Sequence, residues 1–347
     1  MAGWATPQYR KAEVNAAGKT LIDPAASPDQ YERAIEIINN WRASHGFPLN
    51  TFQVTLRNRA KRVEAGPLIA QRLKRLPAIG AKLRRFGTMN LAEMQDIGGC
   101  RAVVENVPQA AKLVDIYKSS KTKHKFLREK DYVGKPKSDG YRSFHLIYRY
   151  HSDAKDQEPW NGLQIEIQIR SKLQHAWATA VETVDFFTGQ ALKSSIGEEQ
   201  WKRFFQLMGG ALALMEGTTP VAGIPRDQKE LTKELKEAAR QLKVIRTLQA
   251  WGKAIQILRD YRGDMSYFLL SLDPDAKRIS IRGFVEGDSK IASEQYVAAE
   301  RQIRDEQRGG QAVLVGVDSI PALRLAYPSF FVDTRLFIRA LERAMKL

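Results

Sequence analysis

The chain of 347 residues predicts an α+β protein. Three observations predict it. From 68 to about 170, short apolar runs with period two alternate with runs of helical spacing. Residues 196–262 read as helical, with few breakers beyond 218–225, and form a helical linker region. Residues 264–347 then read as strand, strand, helix, strand, helix, a small C-terminal α/β domain. A length beyond one ordinary domain supports such a division.

Each element follows in order. Residues 1–27, rich in Ala, Gly and Pro, read as a loosely ordered arm. Ser27 as N-cap and Pro28 at the first helical position open a helix over 28–44. Gly46 and Pro48 break it, and Asn50 caps a second helix over 51–64. Strands are expected at 68–74, 101–104, 144–150 and 163–169, and helices at 79–86, 107–117 and 171–187. The Lys/Glu/Leu/Ala mixture over 228–262 predicts one long connecting helix. In the last unit, strands 267–272 and 278–284 flank a turn at Asp273-Pro274-Asp275, followed by helix 293–306, strand 312–317 and helix 333–346. The expected units are 1–49, an arm and helix; 50–190, the domain with the chemistry; 191–263, a helical extension; and 264–347.

Composition narrows the function classes. A single cysteine, Cys100, excludes an internal disulfide framework and a cysteine-rich zinc site, and fits a reducing cytoplasm. The start of the chain lacks the apolar core of a signal peptide, and no run reaches the ~20 apolar residues of a bilayer span, so no membrane partner is expected. A net charge of +16 favours polyanionic partners. The charge is concentrated: Arg57, Arg59, Lys61, Arg62, Arg72, Lys74, Arg75, Lys82, Arg84 and Arg85 share a stretch whose only acid is Glu64. Such a cluster repels itself unless carboxylates or a ligand neutralise it.

The residues that carry chemistry lie in four segments: Arg72-Leu-Lys74 with Lys82 and Arg85; Asp96 to Arg101; Asp131 to His145, containing Lys137, Gly140 and Tyr141; and Glu166-Ile-Gln168-Ile-Arg170. Strand alternation puts Glu166, Gln168 and Arg170 on one face and Ile165, Ile167 and Ile169 on the other. A carboxylate, an amide and a guanidinium on one face require either solvent or a site. Asp96 and Glu166 could share Mg²⁺, which takes few protein carboxylates and completes its shell with phosphate oxygens and water. The neighbouring Arg and Lys side chains suit a phosphate chain. Such a site suits phosphoryl-type transfer, in which the protein positions groups and stabilises charge. Taken singly, each segment also reads as solvated surface or a plain turn; their joint order carries the reading.

Residues 68–182 resemble the synthetase domain of the RelA/SpoT alarmone synthetases, through 96–101, 131–145 and 166–170. The resemblance implies a nucleotidyltransferase-like mixed sheet flanked by helices. It also implies transfer of the ATP β,γ-pyrophosphate to a ribose 3′-oxygen. In its terms Arg72 and Arg101 sandwich adenine, and Lys74, Lys82 and Arg85 hold the ATP phosphates. Asp96 and Glu166 hold Mg²⁺, with Glu166 as general base. Tyr141 stacks on the acceptor guanine, Lys137 and His145 contact the acceptor or the transferring phosphates, and Gln168 and Arg170 support the site. Ala78 stands where the family often has Ser, and Asp139 where it often has Asn. The family's hydrolase domain needs a His-Asp pair, which is missing among the five histidines, so no hydrolase activity is expected.

Three functions follow as expectations. The first is (p)ppGpp synthesis from ATP and GDP or GTP. The second is pyrophosphorylation of the tRNA 3′-CCA end, which would block translation. The third is a non-catalytic RNA-binding or regulatory protein, opposed by the intact Asp96 and Glu166. Homo-oligomerisation is compatible with any of them.

Overall fold

A computed structural model describes residues 4–191, 198–254, 256–260, 265–273, 276, 278–305, 310–317, 320–329, 331 and 333–347. Helices α1 (Lys11–Ile22), α2 (Pro28–Ser44) and α3 (Gly46–Ala60) come first. They are followed by β1 (Leu68–Leu73), α4 (Leu76–Arg85), β2 (Gly98–Val104), α5 (Val107–Ser119), β3 (Lys125–Asp131), β4 (Phe144–Arg149), β5 (Gln164–Ser171) and α6 (Lys172–Ala191). Next come α7 (Glu198–Glu216), α8 (Gln228–Gln241), α9 (Val244–Ala254), β6 (Gln256–Asp260), β7 (Tyr267–Asp273) and β8 (Arg278–Phe284). The chain closes with α10 (Ser289–Asp305), β9 (Gln311–Gly316), α11 (Ile320–Ala326) and α12 (Arg335–Ala344). The class is α+β, as the alternation predicts.

Among the described residues the strands form one mixed sheet, in the order β3-β4-β5-β2-β1-β9-β7-β8-β6. The β2–β5 and β6–β8 pairs are parallel and the others antiparallel. On the back face Ile165, Ile167, Ile169, Cys100 and Ala102 join Phe52 and Leu56 of α3 and Leu113 of α5 in one core. Full burial of each large apolar side chain contributes about 1.5–3 kcal/mol. The front face carries Glu166, Gln168 and Arg170. Helices α6 to α9 and α12 make their own apolar layer around Phe204, Leu207 and Phe337.

The helix opened by Ser27 and Pro28 forms as expected, with a capping box in which Gln30 N donates to Ser27 Oγ. Elsewhere the structure corrects the reading. The stretch 1–27 is not a loose arm: α1 forms there and buries Val14, Ala17 and Leu21, which lie on one helical face. Helix α3 starts at Gly46, because Pro48 sits in its first turn, where proline costs no hydrogen bond. The stretch 228–262 is not one helix. Lys243 takes φ 49° between α8 and α9, and 256–260 is strand β6 on β8. The unit 264–347 has the expected α/β make-up, but its sheet is continuous with that of 50–190. Strand β9 pairs with β1 through Gln71↔Gly316 and Arg72↔Val315, and Gln53 Nε2 donates to Gly316 O at 3.1 Å. Of the expected turn at 273–275, Pro274 and Asp275 lie outside the described residues.

Candidate active site

The lysine-rich end of the site is assembled where β1 ends. Lys74 N donates to Ile97 O at 2.8 Å, and Pro77 in the first turn starts α4. The Lys74 Nζ then lies 2.7 Å from Asp96 Oδ2, and Lys82 Nζ, from α4, 2.8 Å from Asp96 Oδ1. Burial would push the Asp96 carboxyl up, but the two lysines outweigh it and hold Asp96 well below the usual carboxylate range. One anion between two cations leaves net positive charge for a phosphate chain.

Beside it a closed hydrogen-bond ring forms on β4 and β5. The register His145↔Gln168 brings His145 Nδ1 to 2.9 Å from Glu166 Oε1, and Gln168 Nε2 donates to Glu166 Oε2 at 2.8 Å. Arg170 Nη2 donates to Gln168 Oε1 at 2.5 Å and to the Tyr141 hydroxyl at 3.3 Å. The Tyr141 hydroxyl lies 2.7 Å from His145 Nε2. All donor and acceptor roles agree when His145 donates from Nδ1 and accepts from Tyr141. Burial raises the Glu166 carboxyl, but His145 and Gln168 outweigh it and bring it down to about 2. Glu166 and Arg170 are buried, so this face is a site rather than a solvated edge.

The loop that carries Lys137 and Tyr141 is set by Gly140, whose φ of 95° favours glycine. Gly140 N donates to Lys137 O at 3.0 Å. The Tyr141 ring is packed edge-on against Tyr132, His145 and Trp177. The Lys137 ammonium stands 4.8 Å from the centres of both the Tyr132 and Tyr141 rings. Stacking of a base on Tyr141 therefore requires Lys137 to swing aside.

At the other end Arg72 and Arg101 line a cavity of about 40 Å³ together with Lys74, Asp96, Glu166 and Gln168. Tyr327 closes it. Its ring lies 5.2 Å from the Arg101 guanidinium, Arg101 Nη2 donates to Ala326 O, and the Tyr327 hydroxyl donates to Gln71 O at 2.8 Å. Burial, then the neighbouring Arg170, pulls Arg101 down to about 10. Burial works against the Arg72 cation too, but Glu182, Tyr327 and Asp96 together outweigh it and keep Arg72 charged. Ser329 Oγ donates to the same Glu182 at 2.8 Å.

The structure thus brings together Arg72, Lys74, Lys82, Asp96, Arg101, Lys137, Tyr141, His145, Glu166, Gln168 and Arg170. Arg85 is the exception: it is exposed at the last residue of α4, where its guanidinium turns to the Phe86 ring 5.3 Å away instead of toward Asp96. Tyr327 and Glu182 were missed. Both come from elements distant in sequence, and neither belongs to a local pattern that would mark it. Among the described residues no group of three or more His, Cys, Asp or Glu could hold a metal. Asp96 and Glu166 line one cavity, which fits an ion delivered on a polyphosphate rather than one held by protein alone.

Residues 71–185 match the family model described as the region found in RelA / SpoT proteins. Over these residues the chain is similar to the region shared by RelA / SpoT proteins. Two curated relatives of Bacillus subtilis align with it. GTP pyrophosphokinase YjbM is 28% identical over 120 residues, 34% of this chain and 56% of that protein. GTP pyrophosphokinase YwaC is 30% identical over 113 residues, 31% of this chain and 52% of that protein. The chain spans about half the length of these relatives. Among solved structures, the small alarmone synthetase 1 of Bacillus subtilis bound to its product pppGpp superposes with a TM-score of 0.44 at 22% identity, covering 55% of this chain and 94% of that one. A GTP pyrophosphokinase family protein of Streptococcus pneumoniae gives 0.40 at 24% identity, covering 49% and 84%. Glu182 lies in the last helix of the matched residues, and Tyr327 lies outside them.

Proposed function

We propose that this site transfers the β,γ-pyrophosphate of ATP to the 3′-hydroxyl of GDP or GTP, making ppGpp or pppGpp. The observation that carries the reading is the pairing of Lys74 and Lys82 on Asp96 beside the Glu166–His145 pair, on one face of a RelA/SpoT-type region. The acceptor 3′-oxygen attacks the β-phosphorus, the bond from the β-phosphorus to the α-bridging oxygen breaks, and AMP leaves with the electron pair. Glu166 takes the hydroxyl proton, exchanging one of its bonds to His145 or Gln168 for the acceptor. Lys74, Lys82 and Arg72 neutralise the phosphates, Arg72 and Arg101 hold adenine, and Tyr141, Lys137 and Arg170 hold the acceptor. Mg²⁺ on Asp96 and Glu166 would supply charge neutralisation and template the polyphosphate.

A cavity of about 40 Å³ is far below the ~300–1,000 Å³ of small-molecule sites. ATP entry therefore requires Tyr327 and Ala326 to leave Arg101.

A second reading has its own support. The β3–β4 register places Arg128 and Lys130 opposite Ile147 and His145, so with Arg149 they continue the front face outward from the site. Such a stripe suits an RNA 3′ end as acceptor, tRNA above all. Both readings are tested by incubating the full chain and its Tyr327→Ala variant with terminally labelled ATP and Mg²⁺, separately with GDP, GTP, AMP and deacylated tRNA. Label in ppGpp or pppGpp supports the first; label on tRNA alone replaces it with the second. Label on no acceptor with either protein rejects transfer and leaves a binding protein.

A further inference from the structure

The backbone between β1 and α4 is gripped from outside the RelA/SpoT-type region. Arg42 of α2 is 2% exposed. Its Nε donates to Lys74 O at 2.9 Å, Nη1 to Asn39 Oδ1 and Glu300 Oε2 at 2.8 Å each, and Nη2 to the Tyr296 hydroxyl at 2.6 Å. Glu300 and Tyr296 belong to α10. Glu300 Oε1 accepts from the Tyr296 hydroxyl at 2.8 Å and from Leu76 N at 3.2 Å. One buried cluster thus fixes the carbonyl of residue 74 and the amide of residue 76.

Those two groups decide where the phosphate-facing cations sit. The side chain of Lys74 reaches Asp96 from one side of the gripped segment, and Lys82 of α4 reaches it from the other. Helix α4 has no side-chain cap of its own, since Arg75 at the N-cap makes none. The Glu300 carboxylate supplies the missing acceptor, at the helix end where negative charge is favoured. Packing alone would be served as well by apolar side chains, because a buried ion pair gives back much of its attraction in desolvation. A hydrogen-bonded pair aimed at two backbone groups fits a positioning role better.

We infer that the Arg42–Tyr296–Glu300 cluster is a positioning device for the polyphosphate of the nucleotide. It sets the 74–76 backbone, and with it the reach of Lys74 and Lys82, so that α10 belongs to the working site. The inference rests on the nucleotide reading above.

The test compares Glu300→Gln with its parent in the Tyr327→Ala background, where the base site is open. Affinities for ATP and AMP are measured by calorimetry with Mg²⁺, alongside the melting temperature. Only ATP has β- and γ-phosphates, so the ATP-to-AMP affinity ratio reads the two lysines, which general loosening of the fold does not single out. The expected result is an approximately tenfold fall in ATP affinity, about 1.4 kcal/mol, with AMP affinity changed less than about twofold. An unchanged ratio overturns the inference, whatever the melting temperature does. Tyr296→Phe keeps the ring against Arg42 and removes one hydroxyl. It is expected to lower the ratio by about threefold, and it decides the matter in the same way if Glu300→Gln does not fold. If the Tyr327→Ala parent binds neither nucleotide, the nucleotide reading itself fails and the positioning role falls with it. If the parent binds both and only the ratio is unmoved by the variants, the site reading stands and the positioning role alone is lost.

Discussion

Glu166 has both carboxylate oxygens occupied, by His145 and by Gln168. Replacing it with Gln removes the charge and keeps the shape, so nucleotide binding should survive while transfer falls by about 10²–10⁴-fold, the usual worth of a positioned general base. Product formation set against binding affinity checks this. Tyr327→Ala removes the ring from Arg101 and should raise ATP affinity about tenfold or more. Tyr327→Phe, which loses only the bond to Gln71 O, should raise it far less; direct titration of both variants decides. His45 supplies a pH effect. Buried, with Nδ1 2.7 Å from Trp41 O, it is brought down by burial to about 4 from an ordinary value of 6.5. An unfolded chain therefore takes up a proton below pH 6.5 that the folded chain refuses. Stability is full above that pH and falls as the pH drops toward 4.5, by about 2–3 kcal/mol. Thermal melts between pH 7.5 and 4.5 should show the fall, and His45→Asn should reduce it, the remainder coming from buried His175, which burial also holds well below its ordinary value. Below 4.5, Glu166 extends the loss toward its own value of about 2.

At the scale of elements, the loop holding Tyr141 is seated on α7. A Cβ on Gly209 would stand 2.8 Å from Gly140 Cα and 2.9 Å from Gly140 O. Gly209→Ala should therefore destabilise the fold by about 1–3 kcal/mol and displace Tyr141, weakening acceptor binding more than ATP binding; separate titrations show whether it does. The same scale explains which parts were readable. The faces of β5 were legible because alternation is a property of the backbone, and α2 because Ser27, Pro28 and Gln30 act within one turn. Strand β6 was not, since 256–260 continues a helical-looking run and only pairing with β8 makes it a strand. The grip of Lys74 and Lys82 on Asp96 was legible as a set of residues but not as contacts. Tyr327 on Arg101 was illegible, because nothing near either residue names the other.

For the whole molecule, the sheet joins the strands around the site to those of the C-terminal segment through two residue pairs at β1 and β9. No helix among the described residues is long and apolar enough to cross a membrane. The C-terminal segment reaches the two ends of the site in different ways: Glu300 of α10 holds the backbone next to Lys74, while Tyr327 fills the cavity at Arg101. Removing support and removing the plug should therefore give opposite phenotypes within one segment. The Glu300→Gln and Tyr327→Ala proteins test this directly, one losing ATP affinity and the other gaining it.

Separation along the chain turns this arrangement into a matter of timing on the ribosome. Arg101 and Ala326 are 225 residues apart, and Arg42 and Glu300 are 258 apart. At ~5–20 residues per second, roughly 11–45 seconds pass between synthesis of Arg101 and of the residue that covers it. Once β5 is made, a nascent chain has the strands of its site but neither the support of Glu300 nor the cover of Tyr327. The two are made within about five seconds of each other at that rate, so the growing polypeptide is never long in possession of a finished site that stands open.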